Sequence, residues 1–414
     1  MKKLILSAIT ALTLNFFIFP TGFTFLPGAL NSKMIVAGFG LAVFVFKCIR
    51  EHRIEIPRLV LISGMLAFLF SLWCLFSVTA AETYDMEYVM YPKSFFTWLL
   101  GAYACCVVMK ACTGKDDLPT LSKYAAIVCV FQCAMCLLID NVPFVSNLVD
   151  RFFDFSQDYM KRGGRLYGLA CALDSAGVRF SAMLLLMAHQ LSTNREVGNR
   201  AVSITTYLLA FFITIAIGAT ISRTTVIGGA LGLAYMAFAN ASVQQGGFVS
   251  SRQVRIFIVS VLTLSFVVVV AVYLYQSSQV FYENFRFGFE GFFNWVETGE
   301  FSTGSTDHLE TMWVWPDNPR SWIIGEGIVG VFKTNSDIGY VNFIYYCGII
   351  GLTIYSLYYI YNHLCLNGKY DHFQLMSLMM VALTFIIWTK VQTDIFFLDA
   401  LLFCARGDVK YYSR

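Results

Sequence analysis

Residues 59–80 read LVLISGMLAFLFSLWCLFSVTA, a run with no charged side chain. As a helix rising about 1.5 Å per residue, it is long enough to cross about 30 Å of bilayer hydrocarbon. The whole chain shares its character. Of 414 residues, 57% are hydrophobic, 16% aromatic and 13% charged, with a mean hydropathy of +0.65. Water-soluble globular chains carry about 25% charged residues. The composition therefore specifies an all-α, polytopic integral membrane protein whose main environment is the lipid bilayer. The net charge of +3 points to no acidic partner such as nucleic acid, since in a membrane chain the positions of the charges matter more than their sum.

Outward from Leu59–Ala80, further spanning runs cover roughly Leu4 to Phe19, Met34 to Phe46, Ser94 to Met109, Tyr124 to Ile139, Leu166 to Leu191 and Ala201 to Ile221. They continue with Thr224 to Asn240, Ile256 to Tyr275, Ile338 to Tyr361 and Phe373 to Thr389. A last segment, Ile395 to Ala405, is short and contains Asp399. Lys2, Lys3, Lys47, Arg50, Arg53, Arg58, Lys110, Lys115, Lys123, Arg195, Arg200, Arg252, Arg255, Lys369, Arg406, Lys410 and Arg414 fall on one alternating set of ends, which the positive-inside rule makes cytoplasmic. The other face carries Glu82, Asp85 and Glu87 and an acidic loop over residues 276–337. A basic C-terminus on the cytoplasmic side needs an even count, so the expectation is twelve helices with the last one short. Both termini are then cytoplasmic, and one large extracytoplasmic loop, 276–337, interrupts a single transmembrane domain, 1–414. Met1-Lys2-Lys3 before an apolar run resembles a signal peptide, but no small-residue cleavage site follows, so a retained first helix is expected.

Twelve cysteines lie mostly in the apolar runs. Cys129, Cys133 and Cys136 form a helical stripe without histidine or carboxylate beside them, which reads as core rather than as a metal site. Outward cations are more informative. Arg165 opens the run RLYGLACALDSAGVRF, and Arg223 lies in the tight turn Ser222-Arg223-Thr224-Thr225. Ser222 is placed to cap the helix starting at Thr224, whose bare amides and positive dipole end face the same side as the guanidinium, a corner suited to phosphate. Interfacial snorkelling is the plainer account of such arginines. Asp174 and Arg179, deeper in the sixth run, cannot pair with each other, because five residues rotate a helix by about 140°. Each needs a partner elsewhere, or the helix breaks near Ser175-Ala176-Gly177.

The polar stretch that all this frames is residues 303–351, TGSTDHLETMWVWPDNPRSWIIGEGIVGVFKTNSDIGYVNFIYYCGIIG. Before it, Phe281, Phe285, Phe289 and Phe292 recur at helical spacing, predicting an amphipathic helix in the outer interface. Within it, His308, Trp313, Trp315, Arg320 and Trp322 combine a titratable group, a cation and flat apolar rings, a mixture suited to sugar faces and also found in aromatic belts. Gly325-Glu326-Gly327 reads as a flexible bend. Asp337 precedes the tenth helix, where an N-cap is its plainest role.

From about Arg165 to Gly351 the order of features resembles the O-antigen polymerase and O-antigen ligase superfamily. An arginine opens a helix with glycine three residues on (Arg165, Gly168). Then come a Ser-Arg turn (Ser222-Arg223), a large outer loop ending in Gly325-Glu326-Gly327, an acidic residue (Asp337) and a glycine-bearing helix (Gly348-Ile-Ile-Gly351). The resemblance implies a glycosyltransferase of the bacterial cytoplasmic membrane that needs neither metal nor cofactor. Such an enzyme transfers a glycan with inversion from an undecaprenyl-diphosphate carrier, and a flippase and a chain-length regulator are its partners. It gives Arg165 and Arg223 the diphosphate, and Trp313 and Trp315 the acceptor sugars. Asp337 becomes the base, with His308 second. The family places an arginine early in the loop, upstream of the tryptophan, where this chain has His308 before Trp313, so Arg320 must supply the second clamp. A polymerase is the first expectation; a ligase moving glycan to a lipid or protein acceptor is the alternative, disfavoured because ligases show histidine where Asp337 stands. A transporter or flippase of lipid-linked sugars is the third, though no inverted repeat is visible in the sequence.

Overall fold

The computed structural model describes residues 2–28, 30–154, 166–242, 251–300 and 302–407. A helix occupies each of the twelve apolar segments, and two short strands, Gly22–Phe23 and Phe153–Asp154, pair antiparallel. Among the described residues, seven helices are long and apolar enough to cross a membrane, including Arg58–Ala80, Leu118–Asn141, Ala201–Ile221 and the tenth, beginning at Gly339. Thr224–Ala239 and Gln374–Trp388 are apolar but shorter. The chain is thus all-α with several membrane-embedded helices, and many large apolar side chains along them, such as Phe46, Leu72 and Val269, point outward.

Contacts divide the chain into two compact units, 1–36 with 105–293 and 405–408, and 37–104 with 294–404 and 409–414. The first is built around Leu173–Thr193, in which every residue from Ala176 to Leu191 except Arg179 is buried. Its neighbour Thr224–Ser242 approaches so closely that a Cβ on Gly228 would lie 2.2 Å from Ser181 Cα. The Ser181 hydroxyl uses this proximity to donate to Thr224 O at 2.8 Å. Small residues here exchange side-chain volume for backbone contact, the usual device where lipid supplies no hydrophobic drive between helices.

Two expected helices differ in this unit. Arg165 lies outside the described residues, and the helix expected from Leu166 starts only at Leu173. Residues 166–172 are irregular because Gln132, reaching from Leu118–Asn141, takes both backbone groups of Leu169: its Oε1 accepts from the Leu169 amide and its Nε2 donates to the Leu169 carbonyl. Ala170 and Leu173 adopt positive φ as a result of the turn. The expected helix over Phe281–Phe292 is two helices, Gln279–Gly288 and Glu290–Thr298, separated at Phe289. Ser278 caps the first by accepting from Phe281 N at 3.3 Å.

The second unit is built around Gly339–Cys365, flanked by Arg58–Ala80 and Gln374–Trp388. The central helix is interrupted: Gly348 has φ 63° and ψ −174°. The segment thought to be a flexible bend is what fills the break. Gly325 and Gly327 adopt φ 83° and 62°, and Glu326 N and Gly327 N donate to the carbonyls of Tyr345 and Tyr346 at 2.6 and 3.1 Å. Trp73 Nε1 takes the Cys347 carbonyl at 2.8 Å. A break in a helix frees carbonyls that cannot remain bare in an apolar interior, and these two donors groups replace the lost ladder. A Cβ on Gly348 would sit 2.3 Å from Ile323 O, and one on Gly325 2.5 Å from Tyr346 O, so neither position admits a side chain.

Candidate functional site

In the first unit the polar centre is the turn Ser222-Arg223 between Ala201–Ile221 and Thr224–Ser242. Arg223 Nη2 forms an ion pair with Glu290, its Nε donates to Phe287 O at 3.1 Å, and the guanidinium lies 4.4 Å from the Phe287 ring centroid. The loop helices thus bring a carboxylate, a carbonyl and an aromatic face to one cation. Glu290 sits at the first position of its helix, where the dipole favours negative charge. The expected anion corner therefore holds a carboxylate of this same chain. Ser222 is only a weak cap: its hydroxyl lies 3.4 Å from Thr224 N, and it donates to Asp174 Oδ1 at 2.9 Å. Thr224 Oγ1 donates to the same oxygen at 3.0 Å. Asp174 is in the first turn of its helix rather than deep within it, and these hydroxyls are the partners the sequence could not name. Arg179 stands 5.9 Å from the Phe19 ring.

In the second unit Trp313, Trp315 and Trp322 form a continuous aromatic ledge, with ring centroids 5.5 and 5.2 Å apart. Trp322 Nε1 is fixed by Pro316 O at 2.7 Å. Trp313 remains 40% exposed. Arg320 is already employed: Nη2 donates at 2.8 Å to Ala80 O, closing the C-terminal end of Arg58–Ala80. Lys333 pairs with Glu326 on the strap, residues 325–327, that fills the helix break. On the adjoining 81–90 loop, Asp85 Oδ2 accepts from Val329 N at 3.0 Å, while desolvation, followed by the Asp85 charge, raises the Glu87 carboxyl above its ordinary value.

Asp337 departs from its plain reading. The cap position of Gly339–Cys365 is Ile338, with no side-chain cap. The local polar work falls to Ser336, whose hydroxyl donates to Met312 O at 2.8 Å and lies 3.3 Å from Ile338 N. Asn342 Nδ2 holds the Ser336 carbonyl at 3.1 Å. The Asp337 side chain is left exposed, with no hydrogen bond or ion pair among the described residues. His308, in the last turn of Gly304–Glu310, is likewise exposed. Among the described residues no cluster of three or more histidine, cysteine or carboxylate side chains could hold a metal.

The sequence reading missed the strap on Gly348 and the Glu290 partner of Arg223. Three glycines in Gly325, Gly327 and Gly348 were the available signal for the first; the second had none, since nothing local distinguishes Glu290 from Glu283. Compared with protein families, curated proteins and solved structures, the chain matches none.

Proposed function

We propose that the chain polymerises lipid-linked oligosaccharide repeat units by inverting glycosyl transfer at the outer face of a bacterial cytoplasmic membrane, with undecaprenyl diphosphate as carrier. In this reading it has twelve spans, with both termini cytoplasmic and residues 276–337 outside. The observation that carries it is Asp337, an exposed carboxylate at the head of the central helix that, among the described residues, is engaged in no cap or ion pair. In the transfer, an acceptor hydroxyl oxygen bonds to the anomeric carbon of the donor as the bond to the diphosphate breaks. The bonding pair leaves on phosphate oxygen, and the hydroxyl proton passes to Asp337. Guanidinium groups at Arg223 and Arg165 offset the charge on the departing diphosphate in a water-poor setting, the role that a metal fills elsewhere. The tryptophan ledge carries acceptor sugars, and His308 is the second candidate for the base. A transporter of lipid-linked sugars is the second reading, favoured by the buried His363–Asp399 pair inside the helices of the second unit.

Asp337→Asn tests the proposal. Because the carboxylate caps nothing, the amide should change stability by well under about 1 kcal/mol, the worth of a lost cap. Loss of a general base should slow polymerisation by about a hundredfold or more. Normal membrane abundance with chains arrested near one repeat is the expected result; parental polymer length from the amide variant would remove Asp337 from the mechanism.

A further inference from the structure

The second unit contains a buried ionisable cluster that the proposed transfer leaves unused. His363 Nδ1 lies 2.8 Å from Asp399 Oδ1, and Nε2 lies 2.9 Å from Thr384 Oγ1. His363 and Asp399 have no exposed surface, and the three residues come from three helices, Gly339–Cys365, Phe396–Cys404 and Gln374–Trp388. The Thr384 hydroxyl donates to Met380 O at 3.0 Å, so its oxygen has only lone pairs to offer and Nε2 must carry a hydrogen. One further proton then lies between Nδ1 and Oδ1. The pair is imidazolium with carboxylate, or imidazole with carboxylic acid, and its net charge is zero in both forms. That neutrality is what lets it sit in an apolar interior.

On the three helices that carry the pair the polar atoms are not all met. Asp399 Oδ2, both polar side-chain atoms of Asn362, the Tyr358 hydroxyl and Trp388 Nε1 have no hydrogen-bond partner among the described residues. All four residues are fully buried. Tyr358 and Asn362 are one turn apart on the same helix; the Tyr358 hydroxyl lies near the Asn362 side chain without meeting hydrogen-bond geometry, and is within electrostatic reach of Asp399. Natural interiors seldom leave five such atoms unsatisfied. A cation could serve the oxygens but not the N–H groups of Asn362 and Trp388, whereas water both donates and accepts.

We propose that Asp399, Asn362 and Tyr358 hold an internal water site beside the His363–Asp399 pair, through which the pair exchanges its proton. In exchange, a site water gives a proton to Asp399 Oδ2, its O–H electrons staying on the water oxygen, as the carboxyl yields its original proton to the same water, so that pair and water both end neutral. The other ionisable groups acting on Asp399 or acted on by it are Asp394 and the Cys365 thiol. Asp394 lies at the end of a hydroxyl row on the same helix: Tyr355 OH donates to its Oδ2 at 3.4 Å and lies 3.4 Å from Tyr359 OH, whose ring is 5.8 Å from His363. This site stands whether or not the chain transfers glycans.

Thermal unfolding of Tyr358→Phe and Asn362→Leu in lipid nanodiscs separates a wet site from a dry one by sign. At a wet site each substitution removes a partner of bound water, so Tm should fall; at a dry site it removes an unmet polar atom, so Tm should rise. An unchanged or raised Tm in both overturns the proposal. Should either variant fail to fold, water-edited NMR on the histidine-labelled parent decides, with the His363 ring signals identified by their loss in His363→Gln. Magnetisation transfer from water to the His363 N–H groups is expected, slowed several-fold in Asp399→Asn, whose amide can donate to Nδ1 and keep the helices joined. Absence of transfer in the parent sinks the site.

Discussion

The turn at Arg223 and the interrupted helix behind Asp337 solve the same problem in different currencies. At the turn, charged side chains are met mainly by other side chains: Asp174 by the hydroxyls of Ser222 and Thr224, Arg223 by Glu290, with the Phe287 carbonyl beside it. At the break, backbone carbonyls are met mainly by backbone amides of the 325–327 strap, and the Asp337 carboxylate at the head of the same helix takes no part in the network among the described residues. Side-chain partners can be exchanged by a rotamer change and so can yield to a ligand. Backbone partners demand glycine and yield to nothing, which makes the second arrangement a fixed platform.

The largest effect should therefore come from the platform. Gly348→Ala adds a Cβ at 2.3 Å from Ile323 O and places alanine at φ 63°. Backbone strain alone costs about 1–2 kcal/mol. Moving the strap away also breaks the Glu326 and Gly327 hydrogen bonds, about 1 kcal/mol each. Folded protein recovered from membranes should fall several-fold. Parental yield and Tm from this variant would show that the strap is loose, and would erase the contrast between the two regions.

The sequence disclosed the helices far better than their partners. A span such as Leu59–Ala80 is legible because hydropathy adds residue by residue, with no need of distant information. The late start at Leu173 was hidden because Gln132, some forty positions upstream, captures the Leu169 backbone. The break at Gly348 depends in the same way on Gly325 and Trp73. Of the candidate site, the clustering of tryptophans could be anticipated from local composition, whereas the open carboxylate of Asp337 could not, because its place before the helix reads as an N-cap. The tie between Arg320 and Ala80 could not, because a carbonyl at a helix end carries no residue signature.

At the turn, effects should be smaller and should discriminate roles. Arg223→Lys keeps the charge but loses the planar fork that reaches Glu290 and Phe287 O together. If the guanidinium also serves a diphosphate, polymer should fall about tenfold or more, since one charge-assisted hydrogen bond is worth about 1.5–3 kcal/mol. Membrane abundance should be unchanged. Glu290→Gln, which removes the competing carboxylate, should leave polymer intact or raise it. Equal polymer from the lysine variant and the parent would make Arg223 a structural pin whose only partner class is in this chain.

The smallest effect is expected at Asp174, where the comparison is sharpest because its oxygen receives two hydroxyl donors. In Asp174→Asn the amide oxygen can still accept from Ser222 and Thr224, so the loss is the difference between charged and neutral acceptors, about 1 kcal/mol, together with a few tenths from the helix dipole. Asp174→Ala removes the acceptor and leaves the Ser222 hydroxyl, buried in the turn, to find another partner, at about 1–3 kcal/mol more. Thermal unfolding in the same detergent should therefore rank the parent slightly above the asparagine variant and both well above alanine. If alanine and asparagine unfold together well below the parent, the carboxylate charge itself is what matters. Asp174 would then belong with Arg223 among the side chains kept for their charge rather than for the hydroxyls they gather.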